Sequence, residues 1–215
     1  MKFFSSLVLP AAAILLSGCS APSVAPDIDK LTADIIKASF RDQGMAMVDR
    51  LRQDDANRAC SAADVAGSPL DAAAANAIQD ASLKTVKPPT DGNYLGDWKE
   101  GEKIAQSGRG LTWTDNPSDP NGGNCYNCHQ IARDEVSFGT IGPSLYNYGK
   151  MRGVSDVASP QSRAVIDYTW GKIWNARATN ACSNMPRFGH NGILTEKQMK
   201  DVMALLLDPK SAVNQ

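Results

Sequence analysis

The sequence CYNCH at residues 125–129 constrains what this chain can be more than any other feature. Two cysteines three positions apart, followed at once by a histidine, put two thiols and an imidazole on one short turn. This spacing is typical of covalent haem attachment, because two thioethers reach one edge of a porphyrin while the imidazole turns its Nε2 atom onto the iron. The motif therefore predicts one haem c, attached at Cys125 and Cys128 and ligated by His129.

A redox-active dithiol, a zinc site and coincidence are the other interpretations of this motif. A dithiol of the thioredoxin type accompanies a βαβ pattern, which the sequence lacks. A zinc site needs a second cysteine pair or closely spaced histidines, and the chain contains only two histidines, His129 and His190. Haem attachment is thus the favoured interpretation.

The first 18 residues have the pattern of a signal peptide, with Lys2 followed by an apolar stretch and then small residues. Residues 16–19 (LSGC) resemble a bacterial lipobox, which predicts that Cys19 is the first mature residue and carries lipid. The alternative is a plain signal peptide whose Cys19 is discarded. We expect a periplasmic protein, attached to the membrane only through a lipid, with residues 19–27 as a tether.

Five cysteines are present. If Cys19 takes lipid and the motif cysteines take haem, Cys60 and Cys182 remain in an oxidising compartment, which predicts a disulfide between them. Two buried free thiols are the alternative.

Residues 28–90 are predicted to form a helical N-terminal extension. Apolar residues recur there at spacings of three or four, which suits one or two helices, and we expect them in the core: Ile28, Leu31 and Ile35, then Met45, Val48 and Leu51. Ser68 is expected to cap a third helical segment that runs through Ala81. Two prolines at residues 88 and 89 then interrupt the pattern, which places a domain boundary near residue 90.

Residues 91–215 resemble a small cytochrome c domain of class I type, so the expected fold class is mainly α. Residues 97–105 look like the opening helix of that family, and Gly101 within it indicates a close helix crossing. The expected partner is a C-terminal helix that begins with a capping box at Thr195 and Gln198 and ends before Asp208.

Residues 142–145 (GPSL) are similar to the Gly-Pro-x-Leu loop of the same family. The resemblance implies that the Pro143 carbonyl accepts a hydrogen bond from Nδ1 of His129, although Gly-Pro also makes ordinary turns. Residues 184–189 resemble the methionine loop of the family, which favours Met185 over His190 or another methionine as the sixth iron ligand. A thioether favours ferrous iron, which suits a protein that accepts electrons.

Aromatic side chains at Tyr168, Trp170 and Trp174 are candidates to wall the haem, and helix packing explains them equally well. Arg187 is a candidate for the exposed haem edge, or a solvated surface residue.

Longer phrases at residues 122–129, 138–145 and 181–195 resemble the X subunits of the SoxAX cytochromes of bacterial sulfur oxidation, in their long form with an N-terminal extension. The resemblance implies a heterodimer with a SoxA-type dihaem or monohaem subunit. Together the two would form an L-cysteine S-thiosulfotransferase, in which this chain accepts electrons and passes them to a downstream cytochrome or oxidase.

The same resemblance predicts no catalytic nucleophile in this chain. A free-standing periplasmic electron shuttle and an open-iron peroxidase or gas-binding protein are the alternative functions. The formal net charge is −1 and no polybasic run occurs, so nucleic-acid binding is excluded as a function class.

Overall fold

A computed structural model describes residues 27–133, 135 and 137–215. The expected signal peptide, the lipidation site Cys19 and the tether up to residue 26 lie outside the described residues. No helix in the described part of the chain is both long and apolar enough to cross a bilayer.

The described residues form α-helices and short 3₁₀ turns and contain no β-strand, so the mainly α fold class is confirmed. The helices are α1 (Ile28–Ser39), α2 (Asp55–Val65), α3 (Ala72–Leu83), α4 (Trp98–Gln106), α5 (Tyr148–Met151), α6 (Arg163–Trp174) and α7 (Glu196–Leu207). The 3₁₀ turns lie at Val48–Leu51, Cys125–Asn127, Pro160–Ser162, Ala176–Ala178 and Ala212–Asn214.

Helix α1 belongs to a compact unit that ends at Phe40. The Asp27 side chain caps this helix by accepting a hydrogen bond from the Lys30 amide. The prediction that its apolar residues are core is wrong, since Ile28 is 61% and Leu31 49% exposed. It is also wrong for Met45, Val48 and Leu51, none of which is buried. Helical periodicity establishes an amphipathic helix, but it does not establish that another element covers the apolar face.

A second compact unit comprises Arg41–Gln215. Helix α3 in this unit starts later than expected, because the Asp71 carboxylate, and not Ser68, accepts hydrogen bonds from the Ala73 and Ala74 amides. Asp71 is the better cap because its carboxylate satisfies two of the unpaired amides of the first turn.

Helices α4 and α7 cross closely, as Gly101 indicates. A Cβ atom on Gly101 would overlap the Asp201 carbonyl oxygen and would lie 3.1 Å from Cβ of Leu205. The predicted capping box of α7 is present, with Thr195 and Gln198 each bonding the backbone of the other. Eight of the twelve residues of α7 are buried, among them the whole run from Asp201 to Leu207, so this helix is the centre of the core.

The segment between α3 and α4 packs along α6 and α7 within the second unit. The Trp170 indole donates to the Lys87 carbonyl over 2.7 Å, and the Asn175 amide donates to the Thr85 hydroxyl over 3.0 Å. The Thr90 amide and hydroxyl both donate to the Glu196 carboxylate. Residues on either side of position 90 therefore share one packed structure.

Candidate functional site

The two motif cysteines lie at either end of a tight 3₁₀ turn. Asn124 enters this turn with φ of 51°, in the left-handed region that asparagine tolerates. The His129 amide then donates to the Cys125 carbonyl over 2.9 Å, which closes the turn. The turn thus brings both cysteine side chains and the His129 ring together at one place.

Cys125 and Cys128 are free thiols and are both partly buried. Burial raises the pKa of the Cys125 thiol to about 12. Redox-active dithiols instead have a cysteine whose pKa is lowered by a helix N-terminus or a cation. The pair therefore lacks the electrostatics of a redox dithiol. No cluster of three metal-ligating side chains of the His, Cys, Asp or Glu type occurs among the described residues either.

His129 is held in one orientation by the loop at residues 142–145. Its Nδ1 lies 2.7 Å from the Pro143 carbonyl oxygen. Because a carbonyl oxygen can only accept, Nδ1 carries the proton and the Nε2 lone pair is left to bind a metal. Gly142 lies against the ring, and a Cβ atom there would overlap the imidazole.

The same loop is fixed to the residues that flank the motif. The Gly142 amide donates to the Cys128 carbonyl over 2.8 Å, and the Leu145 amide donates to the Gln130 carbonyl over 2.7 Å. The orientation of the His129 ring is therefore set by backbone hydrogen bonds rather than by a flexible side chain.

Met185 faces the same cleft as His129. The cleft has a volume of about 490 Å³ and is lined on one side by the motif turn and on the other by the loop around Met185 and Pro186. A small apolar cavity continues inward from the same residues, lined by side chains such as Ile131, Leu194 and Leu206. His190 lines neither cavity and is exposed.

This cleft fits a covalently attached haem in size and in chemistry. Its volume lies within the range of about 300–1,000 Å³ usual for small-molecule sites. It offers two thiols that could form the thioether bonds of a c-type haem, and one imidazole with a free Nε2 and one thioether that could bind its iron. The apolar inner wall suits the face of a macrocycle. Because Gly142 has no Cβ atom, the His129 ring has the space that it needs to lie beside a bound haem.

Cys60 and Cys182 form a disulfide with a Cα–Cα distance of 5.6 Å. The bridge joins α2 to the start of the loop that carries Met185. Cys182 also lines the cleft, so the bridge reaches its rim.

The two tryptophans of α6 pack inside the fold, whereas Tyr168 is partly exposed. The indole of Trp170 is bonded to the Lys87 carbonyl, and Tyr168 is 50% exposed. Trp174 packs on Trp170 with ring centroids 6.0 Å apart. The Trp174 indole nitrogen is buried and has no hydrogen-bond partner among the described residues.

Two charged residues in or near this site were not predicted from the sequence. Lys172 lines the cleft, and burial lowers the pKa of its ammonium group. Asp54 pairs with Arg177 over 2.9 Å and with Arg187 over 3.0 Å. Arg187 does not line the cleft, and it is not merely solvated, because it is only 23% exposed and pairs with Asp54. Charged residues carry no pattern that reveals such partners in advance.

Comparison with known proteins identifies one family. The profile of the family described as Cytochrome c matches residues 98–208, which is more than half of the chain. An "Uncharacterized lipoprotein" of Aquifex aeolicus (strain VF5) is 36% identical over 133 residues, which cover 60% of this chain. The match spans 58% of the length of that relative.

Proposed function

Because the chain belongs to the cytochrome c family, we propose that it holds one haem c through Cys125 and Cys128, with His129 and Met185 as axial ligands, and acts in electron transfer. The observation that carries this proposal is that His129 and Met185 line one cleft with two free thiols at its edge. Bound haem supplies a one-electron couple between ferric and ferrous iron.

Each residue of the site has a defined task in this proposal. The hydrogen bond from Nδ1 to the Pro143 carbonyl makes Nε2 of His129 a stronger donor. Met185 supplies a soft, neutral sulfur that favours the reduced state. With both axial positions taken by the chain, no position is left for a substrate, which favours electron transfer over peroxidase chemistry or gas binding.

We propose more specifically that the chain is the X-type subunit of a SoxAX cytochrome. The phrases at residues 122–129, 138–145 and 181–195 support this assignment, and the helices before residue 91 agree with the long form of that subunit. The partner would be a SoxA-type dihaem or monohaem subunit. The two would act together as an L-cysteine S-thiosulfotransferase in thiosulfate oxidation.

The chemistry of that reaction defines what this chain would do. Joining thiosulfate to a carrier cysteine forms one S–S bond and releases one proton and two electrons. A single haem accepts one electron at a time, so the chain would be reduced and reoxidised twice per reaction by a downstream cytochrome or oxidase. No nucleophile from this chain is needed.

We also propose that the mature protein is a periplasmic lipoprotein anchored at Cys19. The leader pattern and the LSGC sequence support this, and the Aquifex relative is itself named a lipoprotein. Mass spectrometry of the native holoprotein tests the proposal, because it reports attached haem, acyl chains and the disulfide in one measurement.

Two further experiments test the function. The ferric holoprotein should show a sulfur-to-iron charge-transfer band that disappears in Met185→Ala. Purification from the native host should give a stable complex with a second c-type cytochrome. A monomer with the same band would instead identify a free electron shuttle, and a protein that binds carbon monoxide readily would refute ligation by Met185.

A further inference from the structure

The loop that carries Met185 is held from outside at two points, one on each side of the methionine. We call residues 182–188 the methionine loop. Cys182, at its start, is bonded to Cys60 in α2. Arg187, beyond the methionine, is paired with Asp54, the residue that caps the same helix. One helix of the N-terminal extension therefore holds both ends of this loop.

Asp54 is built into its position more firmly than a surface carboxylate. It accepts a hydrogen bond from the Asn57 amide over 2.8 Å and two from the Arg177 guanidinium at 2.9 Å. Arg177 is only 11% exposed, and its guanidinium also bonds the Asn57 side chain. Burial tends to raise the pKa of Asp54, but the Asn57 amide and the two arginines lower it overall. The Asn57 amide and Arg177 thus orient the carboxylate independently of Arg187.

The methionine loop has little internal support near its centre. The Met185 amide bonds only to the Ser183 hydroxyl, at a long 3.3 Å, among the contacts of the described residues. Further backbone support begins at Arg187, whose carbonyl accepts from the Asn191 amide over 2.9 Å, and at Phe188, whose side chain is 5% exposed and whose carbonyl accepts from the Ile193 amide over 2.8 Å. The Met185 side chain packs against the core, but the backbone between Ser183 and Arg187 depends on contacts from outside the loop to stay in place.

We propose that Asp54 is a positioning residue for Met185: through its ion pair with Arg187, and together with the Cys60–Cys182 bridge, it keeps the methionine loop closed over the iron. This inference rests on the proposed ligation by Met185. It gives the N-terminal extension a role at the iron, namely to control how often the sulfur leaves and an external ligand enters.

The test is the rate at which imidazole binds to the ferric holoprotein, because imidazole enters only when the sulfur has left. In Asp54→Asn this rate should rise about five- to tenfold, since loss of a partly buried charge pair shifts an opening equilibrium by about one order of magnitude. The matched control is Asp55→Asn. Asp55 is the next residue, is 96% exposed and, among the residues that the structure describes, pairs with Arg58 alone on the helix surface. Imidazole should bind to Asp55→Asn at the same rate as to the wild type.

A double-mutant cycle separates positioning from general stability. Arg187→Gln should accelerate imidazole binding as much as Asp54→Asn does, and the double variant should be no faster than either single variant. If Asp54→Asn does not accumulate as holoprotein, Arg187→Gln reports on the same pair. High salt should accelerate binding in the wild type and leave Arg187→Gln unchanged, because salt screens the charge pair.

The outcomes distinguish the two proposals. A wild-type protein without the charge-transfer band, which binds imidazole immediately, would refute ligation by Met185 itself. A wild-type protein with the band, combined with equal binding rates in Asp54→Asn and Asp55→Asn, would leave the proposed function intact and overturn the positioning role. Additive effects of the two single variants would overturn it as well.

Discussion

Nδ1 of His129 lies 2.7 Å from the carbonyl oxygen of Pro143, so a backbone atom fixes the tautomer and the orientation of the proximal imidazole. No side-chain substitution at Pro143 removes this acceptor directly. The neighbouring glycine is the more sensitive position, because it determines whether the ring fits at all.

Gly142→Ala should destabilise the holoprotein by about 1–3 kcal/mol, because the added methyl group overlaps the imidazole and forces the ring or the loop to move. Urea unfolding followed by haem absorbance measures the loss, and magnetic resonance of the ferric state reports the ring orientation. Gly108→Ala is the control, since a Cβ atom there meets only the Asn124 side chain, at 3.3 Å. Equal losses of stability in the two variants would contradict the predicted overlap of a Gly142 side chain with the His129 ring.

Gly101→Ala should lower the stability of the fold, although alanine in an isolated helix is better than glycine by about 1 kcal/mol. The overlap with the Asp201 carbonyl separates α4 from α7, and overpacking of this kind costs about 1–3 kcal/mol. Thermal unfolding followed by circular dichroism measures the net change in stability. An increase in Tm would contradict the close contact between α4 and α7 at Gly101.

Removing the bridge with Cys60→Ser and Cys182→Ser together should cost about 2–5 kcal/mol, as for other native disulfides. Chemical denaturation of the variant and the wild type gives the difference. Reduction of the wild type should reproduce the effect, and a variant as stable as the oxidised protein would contradict it.

Lys172→Met should lower the reduction potential by about 20–60 mV, because a cation beside the iron favours the ferrous state. Spectroelectrochemical titration of the wild type and the variant at the same pH gives the shift. Burial lowers the pKa of Lys172 from its usual 10.5, so the wild-type potential should fall towards that of the variant as the amine deprotonates at alkaline pH. Lys150→Met, on the exposed side of α5, should leave the potential unchanged.

Asp54 should contribute to the acid sensitivity of the protein. Its pKa in the folded state lies below the usual 3.8, with Arg177, Arg187 and the Asn57 amide favouring the ionised form against the effect of burial. Its stabilising contribution is therefore complete above pH 3.8 and is lost as the pH falls through the lowered pKa. Tm measured against pH should thus fall less steeply below this value in Asp54→Asn than in the wild type. Parallel curves would refute this assignment.

Local chemistry made much of the fold predictable. The capping box at Thr195 and the helix crossing at Gly101 follow from interactions that a few neighbouring residues define, and both are present in the structure. The start of α3 was misjudged because Ser68 and Asp71 are both acceptable caps, and only the competition between them decides the boundary. The apolar face of α1 was misjudged because periodicity says nothing about a covering partner.

The ion pairs around the methionine loop could not be predicted in the same way, although the Cys60–Cys182 bridge could. Asp54 and Arg177 are 123 residues apart, and neither belongs to a motif. Surface charges are common and mostly solvated, so only the folded chain reveals which of them meet. Lys172 illustrates the same limit, since its position on α6 becomes meaningful only once α6 is seen beside the cleft.

The Cys60–Cys182 bridge spans 122 positions and so closes the middle of the chain into a covalent ring. A protease that cuts any single peptide bond inside this ring leaves both fragments on the same molecule. A nicked protein would keep its full mass until a reductant is added, and damage to the exposed loops would escape detection on a non-reducing gel.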